Sequence, residues 1–218
     1  IAFGVIKNIA HQPEPKAEES AESKLIPNDY FYQQRTYPYG KMDKNAYKKA
    51  IAYRLKTNQS NAKKRQNNWQ FAGPTNIGGR VTDIEVFADD LNTIFVGAAS
   101  GGIFKSTDKG NNWQPIFDEA ASLSIGDMAI GSDRTIYVGT GEANAGGGSL
   151  AYDGVGVYKA TDEGESWEWK GLEDVGSSGK VVVNPQNSDE VFVAAMGHLF
   201  ENNQERGIYR SKDGGDTL

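Results

Sequence analysis

The chain has 218 residues, 23 basic and 29 acidic side chains, a net charge of −6, 26 glycines and no cysteine. Disulfides, thiolate zinc sites and thiol catalysis are therefore excluded, and no apolar run is long enough for a membrane-spanning helix. The charge is divided unevenly: residues 41–65 carry 9 basic and 1 acidic side chains, and residues 66–218 carry 10 and 23, so the larger part repels nucleic acid and anionic membranes.

The opening stretch, IAFGVIKNIA, lacks an initiator Met and a basic n-region, and reads as an excerpt or processed product rather than a signal peptide. Residues 1–28, rich in Pro, Glu, Lys and Ser, read as a linker or tail. DYFYQQRTYPYG at 29–40 holds five aromatics and is expected to dock on another surface. In 43–66, Tyr47, Ile51 and Leu55 recur at helical spacing among lysines. This predicts a basic surface helix lying on an acidic neighbour, and it lacks the stacking aromatics or broad apolar face that nucleic-acid or membrane binding needs.

From residue 67 short β-type runs alternate with Gly, Asn and Asp turns. First strands are expected at 81–86, 125–130 and 179–184, second strands at 93–97, 135–139 and 190–194, and third strands at 102–108, 156–162 and 207–213. Fourth strands fall at NNWQPIF (111–117) and ESWEWKGL (165–172). Four strands per period of about fifty residues predict an all-β propeller portion behind an extended, partly helical N-terminal region. Its parts are a lone outer strand at 67–72, blades at 80–117 and 124–172, and a partial blade at 177–218. Three blades are too few for a closed ring of about four to eight. The ring is expected to be completed by further blades of a parent chain or by a second copy, and Leu218, where the other repeats have Trp, reads as either native or vector-derived.

One octapeptide recurs: STDKGNNW (106–113), ATDEGESW (160–167) and SKDGGDTL (211–218). Gly110, Gly164 and Gly215 suit a tight turn needing positive φ. Asp108, Asp162 and Asp213 are expected to accept hydrogen bonds from the turn's own N–H groups, and Trp113 and Trp167 to open the outer strand beneath it. One carboxylate per turn supplies too few oxygens for calcium, so the motif is read as structural, with no metal and no cofactor.

These octapeptides resemble Asp boxes (BNR repeats), as in sialidases, xyloglucanases and sortilin-type receptors. With WQFAGPTNIGGRVTDI, YVGTGEAN and AAMGHLFENNQERGIYRSKDGG, residues 67–218 look like sortilin-like Asp-box propellers. The resemblance implies a secreted or cell-surface protein of Gram-negative bacteria, of a kind often labelled glycosyl hydrolase and often exported by type IX secretion. Sialidases carry three substrate-binding arginines and an Arg-Ile-Pro signature, whereas residues 67–218 have only Arg80, Arg134, Arg206 and Arg210 and no such signature. Xyloglucanases carry a catalytic Asp two residues before a Gly-Gly pair, where this chain has Ala99 followed by Ser100.

Long loops at the edge opposite the octapeptides are the expected place for function. They gather Glu142, Asn144, Tyr152, Asp153, His198, Glu201 and Arg206, with Asn76 and Arg80 nearby. Glu142 and Asp153 are the candidate acid/base pair of a glycosidase; the simpler reading is that these residues are solvated and His198 packed. The expected function is a protein- or glycan-binding or structural platform at the cell envelope, and the alternative is a glycoside hydrolase. A docking propeller of the photosystem-assembly type is a third option. Nucleic acid is not an expected partner.

Overall fold

The structure, a computed structural model, describes residues 34, 37–40, 49–50, 53, 56, 78–144, 152–198 and 204–217. The chain divides into two units, Ile1–Met42 and Asp43–Leu218. In the first, residues 37–40 form a turn. In the second, Lys49, Ala50, Tyr53 and Lys56 have helical backbone, but no helical element is among the described ones. The helical part of the expected N-terminal region is thus not an element of this fold as described. The tail over 1–28 and the lone strand at 67–72 lie outside the described residues.

Among the described residues the second unit forms three antiparallel sheets. Sheet 1 runs β1 (Val81–Phe87), β2 (Asp90–Ala98), β3 (Gly102–Ser106) and β4 (Gln114–Pro115) in sequential order. Sheet 2 repeats this with β5 (Ile125–Ile130), β6 (Ile136–Thr140), β7 (Val157–Ala160) and β8 (Glu168–Trp169). Sheet 3 holds β9 (Ser177–Asn184), β10 (Asn187–Gly197) and β11 (Gly207–Ser211). Strand β5 packs against both β1 and β9, so the first strands stand side by side and the sheets stack as successive propeller blades.

The fourth strands are shorter than expected. Each begins one residue after its Trp and pairs over two residues, Phe104 with Pro115 and Lys105 with Gln114 in sheet 1. Pro115 has no N–H to extend the ladder.

Cross-strand pairs fix the equivalence between sheets. Val86, Ile130 and Val183 pair with Ile94, Ile136 and Val191. Counting back three residues, Asp83, Asp127 and Lys180 occupy one position. The sequence comparison set Val181 beside the two aspartates, one residue off. The run Val181-Val182-Val183 has no polar alternation to fix a register.

Two cores hold the sheets together. Phe87, Phe95, Ile103 and Phe117 of the first repeat meet Met128, Ile136, Val138 and Tyr158 of the second. Tyr137 and Val157 on the other face of sheet 2 meet Val181, Val191 and Val193 of sheet 3. Every residue of β6 is buried, because both its faces are covered. Each such side chain contributes about 1.5–3 kcal/mol, so the stacking of sheets, more than any one sheet, stabilises the fold.

Candidate functional site: two edges of the blades

Each octapeptide turn follows a third strand, so all three lie at one edge. Gly110, Gly164 and Gly215 have φ of 86, 87 and 94°. The residue before each also has positive φ: Lys109 at 62°, Glu163 at 58° and Gly214 at 69°. Two successive positive φ values are what a type I′ turn requires. Asp108 Oδ1 accepts the amide of Asn112 at 2.8 Å, Asp162 Oδ1 that of Ser166 at 3.0 Å, and Asp213 Oδ1 that of Thr217 at 2.9 Å.

The side chains of those three residues donate to the second carboxylate oxygen, at 2.6, 2.5 and 2.6 Å. Sequence reasoning missed these donors, although a small polar residue four places after each Asp was the available signal. Ser106 and Ser211 add a hydroxyl that accepts from Gly110 and Gly215, each at 2.8 Å; Ala160 omits it. The hydrogen bonds, led by those from Asn112, Ser166 and Thr217, hold the Asp108 and Asp162 carboxyls below their ordinary range and Asp213 at about 2.

The tryptophans are unequal. Trp167 stacks edge-on against Phe117 with centroids 4.9 Å apart, and its Nε1–H donates to the Ile116 carbonyl at 2.8 Å, tying sheet 2 to the preceding repeat. Trp113, with no sheet before it among the described residues, is 41% exposed.

At the opposite edge, the structure sorts the candidate residues into two groups. In the first, the Arg80 guanidinium donates to Glu142 Oε2 and, at 3.2 Å, to the Asn144 carbonyl. Arg80 precedes β1 and Glu142 follows β6, so the pair joins sheets 1 and 2. The Glu142 side chain is only 3% exposed, and its amide donates to Ser124 Oγ at 3.1 Å. In the second group, His198 Nδ1 lies 2.7 Å from Asp153 Oδ2, and Arg206 donates to the His198 carbonyl at 2.8 Å. Asp153 precedes β7 and His198 follows β10, so this pair joins sheets 2 and 3.

Glycines bring the strand ends together. A Cβ on Gly154 would lie 2.2 Å from the Thr140 carbonyl carbon, and one on Gly141 2.0 Å from the Gly176 oxygen. The Ser177 and Ser178 hydroxyls are buried here without a hydrogen-bond partner, a feature sequence reasoning did not single out. Tyr152 is 51% exposed beside Asp153. Asn76, Glu201 and the triple glycine 146–148 lie outside the described residues. Arg134 and Arg210 are elsewhere: Arg134 bonds Asp89 and Glu163 near the octapeptide edge, and Arg210 bonds Glu190. Among the described residues no group of three or more His, Asp or Glu is placed to hold a metal ion, and no helix is long and apolar enough to cross a membrane.

Neither a family model nor a curated protein matches the chain. Among solved structures it is similar to an ancestral GH74 enzyme, with TM-score 0.48, 23% identity, and 62% of this chain and 18% of that chain covered. It is similar to the GH74 xyloglucanase from Xanthomonas campestris, with TM-score 0.47, 17% identity, and 64% and 20% covered. It is also similar to YCF48 from Cyanidioschyzon merolae, with TM-score 0.42, 16% identity, and 65% and 37% covered. The chain thus spans about a fifth of the length of the GH74 enzymes. These are likenesses of fold alone.

Proposed function

We propose that this chain is a recognition module: part of an Asp-box propeller of the sortilin-like kind, acting outside the cytoplasm as a protein- or glycan-binding platform rather than as a hydrolase. One observation carries the reading. Both candidate catalytic carboxylates already have partners in the neighbouring repeat, Glu142 with Arg80 and Asp153 with His198. A glycosidase needs one carboxylic acid and one carboxylate facing an open cleft; here Glu142 is buried and bound to an arginine. Ala99 and Ser100 offer no acid or base in its place. The pairs instead brace the loop ends, leaving Tyr152 and Arg206 exposed as contact groups, an aromatic plane and a cation suited to sugar rings or peptide carbonyls. The extracytoplasmic placement is supported by the motif resemblance.

A glycan array and a reducing-sugar assay on the same purified chain test this. The expected result is retained glycan or a bound protein partner with no release of reducing ends. Release of reducing sugar that Glu142→Gln or Asp153→Asn abolishes would instead establish the hydrolase.

A further inference from the structure

The rims of the two joints inside the chain are built alike but filled differently. Ile116 of sheet 1 and Lys170 of sheet 2 hold the same place. Each directly follows its two-residue rim strand, and each donates its amide to a third-strand carbonyl, Ile103 at 2.9 Å and Val157 at 2.8 Å. Each also lies against the glycine of the next octapeptide turn: a Cβ on Gly164 would come within 2.6 Å of Ile116, and one on Gly215 within 3.2 Å of Lys170. At the joint of sheets 2 and 3 the place is taken by an ammonium. Lys170 Nζ bonds Glu168 at 2.9 Å and Asp216 at 2.7 Å, and its side chain is only 7% exposed.

At the joint of sheets 1 and 2 that place is an isoleucine, and a cleft of about 730 Å³ runs along it. Glu165 stands three residues after its octapeptide aspartate, as Asp216 does, and Asp118 and Glu119 add two acids beyond the rim strand, where Gln114 replaces Glu168. Among the described residues no lysine or arginine lines the cleft. Lys105 comes within 3.9 Å of Glu165 but makes its closer bonds to Glu163. Its counterpart Lys159 is present in sheet 2 as well, so Lys105 does not stand in for Lys170. The walls are aromatic. Phe117 and Tyr158 are buried, Trp167 is partly exposed, and edge-on contacts of 5.2 and 4.9 Å with the indole bond to Ile116 fix the rings. Carboxylates beside a fixed tryptophan suit a cation on an apolar stem, the acids taking the charge and the ring the stem.

We infer that this rim cleft receives a lysine side chain of a partner polypeptide, its ammonium among Glu165, Asp118 and Glu119 and its stem against Trp167. The cleft thus accepts from outside what sheet 2 provides for itself with Lys170. Residues 66–218 carry 23 acidic and 10 basic side chains, a field that draws a basic segment and repels an acidic one. The chain's own basic stretch is the competing source of a cation; its described members Lys49 and Lys56 are exposed.

Titration of the full chain with a tri-lysine peptide at low salt tests this, independently of what the loops at the other edge bind. Nuclear magnetic resonance should show saturable shifts of the Trp167 indole N–H and the Glu165 amide. The shifts should vanish when the peptide's lysines are acetylated and weaken as salt is added. Glu165→Lys, on a side chain 76% exposed, should keep the circular dichroism and weaken binding roughly three- to ten-fold. Ile116→Lys, which supplies the cation that sheet 2 already carries, should abolish it. Carbodiimide should join the peptide to Glu165, Asp118 or Glu119. No shift at Trp167, an equal response to the acetylated peptide, binding indifferent to Glu165→Lys, or cross-links from these acids to lysines of residues 41–65 in place of the peptide would each overturn the inference.

Discussion

The amide of Val181 donates to Asp127 Oδ2 at 2.7 Å, joining the first strands of sheets 2 and 3 by a side chain rather than by a ladder. The joint before it repeats the device, with the Met128 amide donating to Asp83 Oδ2 at 2.9 Å. Removing either carboxylate leaves an inner amide without its acceptor. Asp127→Ala should lower unfolding free energy by about 2–3 kcal/mol, read from chemical denaturation. Asp127→Asn, which keeps an acceptor oxygen, should lose less.

Glu85 gives a pH dependence of the opposite kind to an ordinary surface acid. Burial first, then the Asp83 charge, raises its carboxyl to about 7. The folded state therefore holds a proton that the unfolded state releases near 4.5, and stability falls as pH rises from there to about 7. Glu85→Gln should raise Tm at pH 8 and leave it nearly unchanged at pH 4.5. Equal effects at both pH values would contradict this assignment.

The octapeptide carboxylates act in the acid range. Their pKa values lie below those of the unfolded chain, so their contribution is complete above the ordinary carboxylate range and is lost as pH falls toward about 2, the value for Asp213. Asp108→Asn and Asp162→Asn should each flatten the loss of stability between pH 4 and 2, measured by thermal melts across that interval.

Arg80 and Glu142 form an asymmetric pair, the arginine 44% exposed and the glutamate 3%. Arg80→Met leaves a buried carboxylate without its countercharge and should cost about 3 kcal/mol. Adding Glu142→Gln to that variant should recover part of the loss. If the double variant is as unstable as the single one, the pair is not what braces these loops.

Trp167 and Trp113 offer a matched comparison. Trp167→Phe removes the N–H that reaches Ile116 across the joint and should cost about 1–2 kcal/mol. Trp113→Phe alters a half-exposed ring and should cost less than about 0.5 kcal/mol.

Much of the blade pattern was legible in the sequence because each repeat carries the same turn chemistry. Gly110, Gly164 and Gly215 punctuate the chain, and runs such as Thr135–Gly139 show where strands lie. Register was harder: the valines of β9 look alike in either frame, and only pairing with Val191 decides between them. The outer strands were overestimated because Trp113 and Trp167 have high β propensity, whereas each stands just ahead of its two-residue strand. At the loop edge the sequence identified the polar residues but not their pairing. Arg80 and Glu142 are 62 residues apart, and only the stacking of sheets brings them together.

The two-residue rim strands have a consequence for how the molecule opens. Strand β4 retains little pairing to β3, while β6 is enclosed on both sides. Amide exchange should therefore begin at the periphery around Gln114 and Glu168 and reach Tyr137 last. A protease that nicks the chain after β4 would then free that rim strand while β6 stays enclosed between its neighbours.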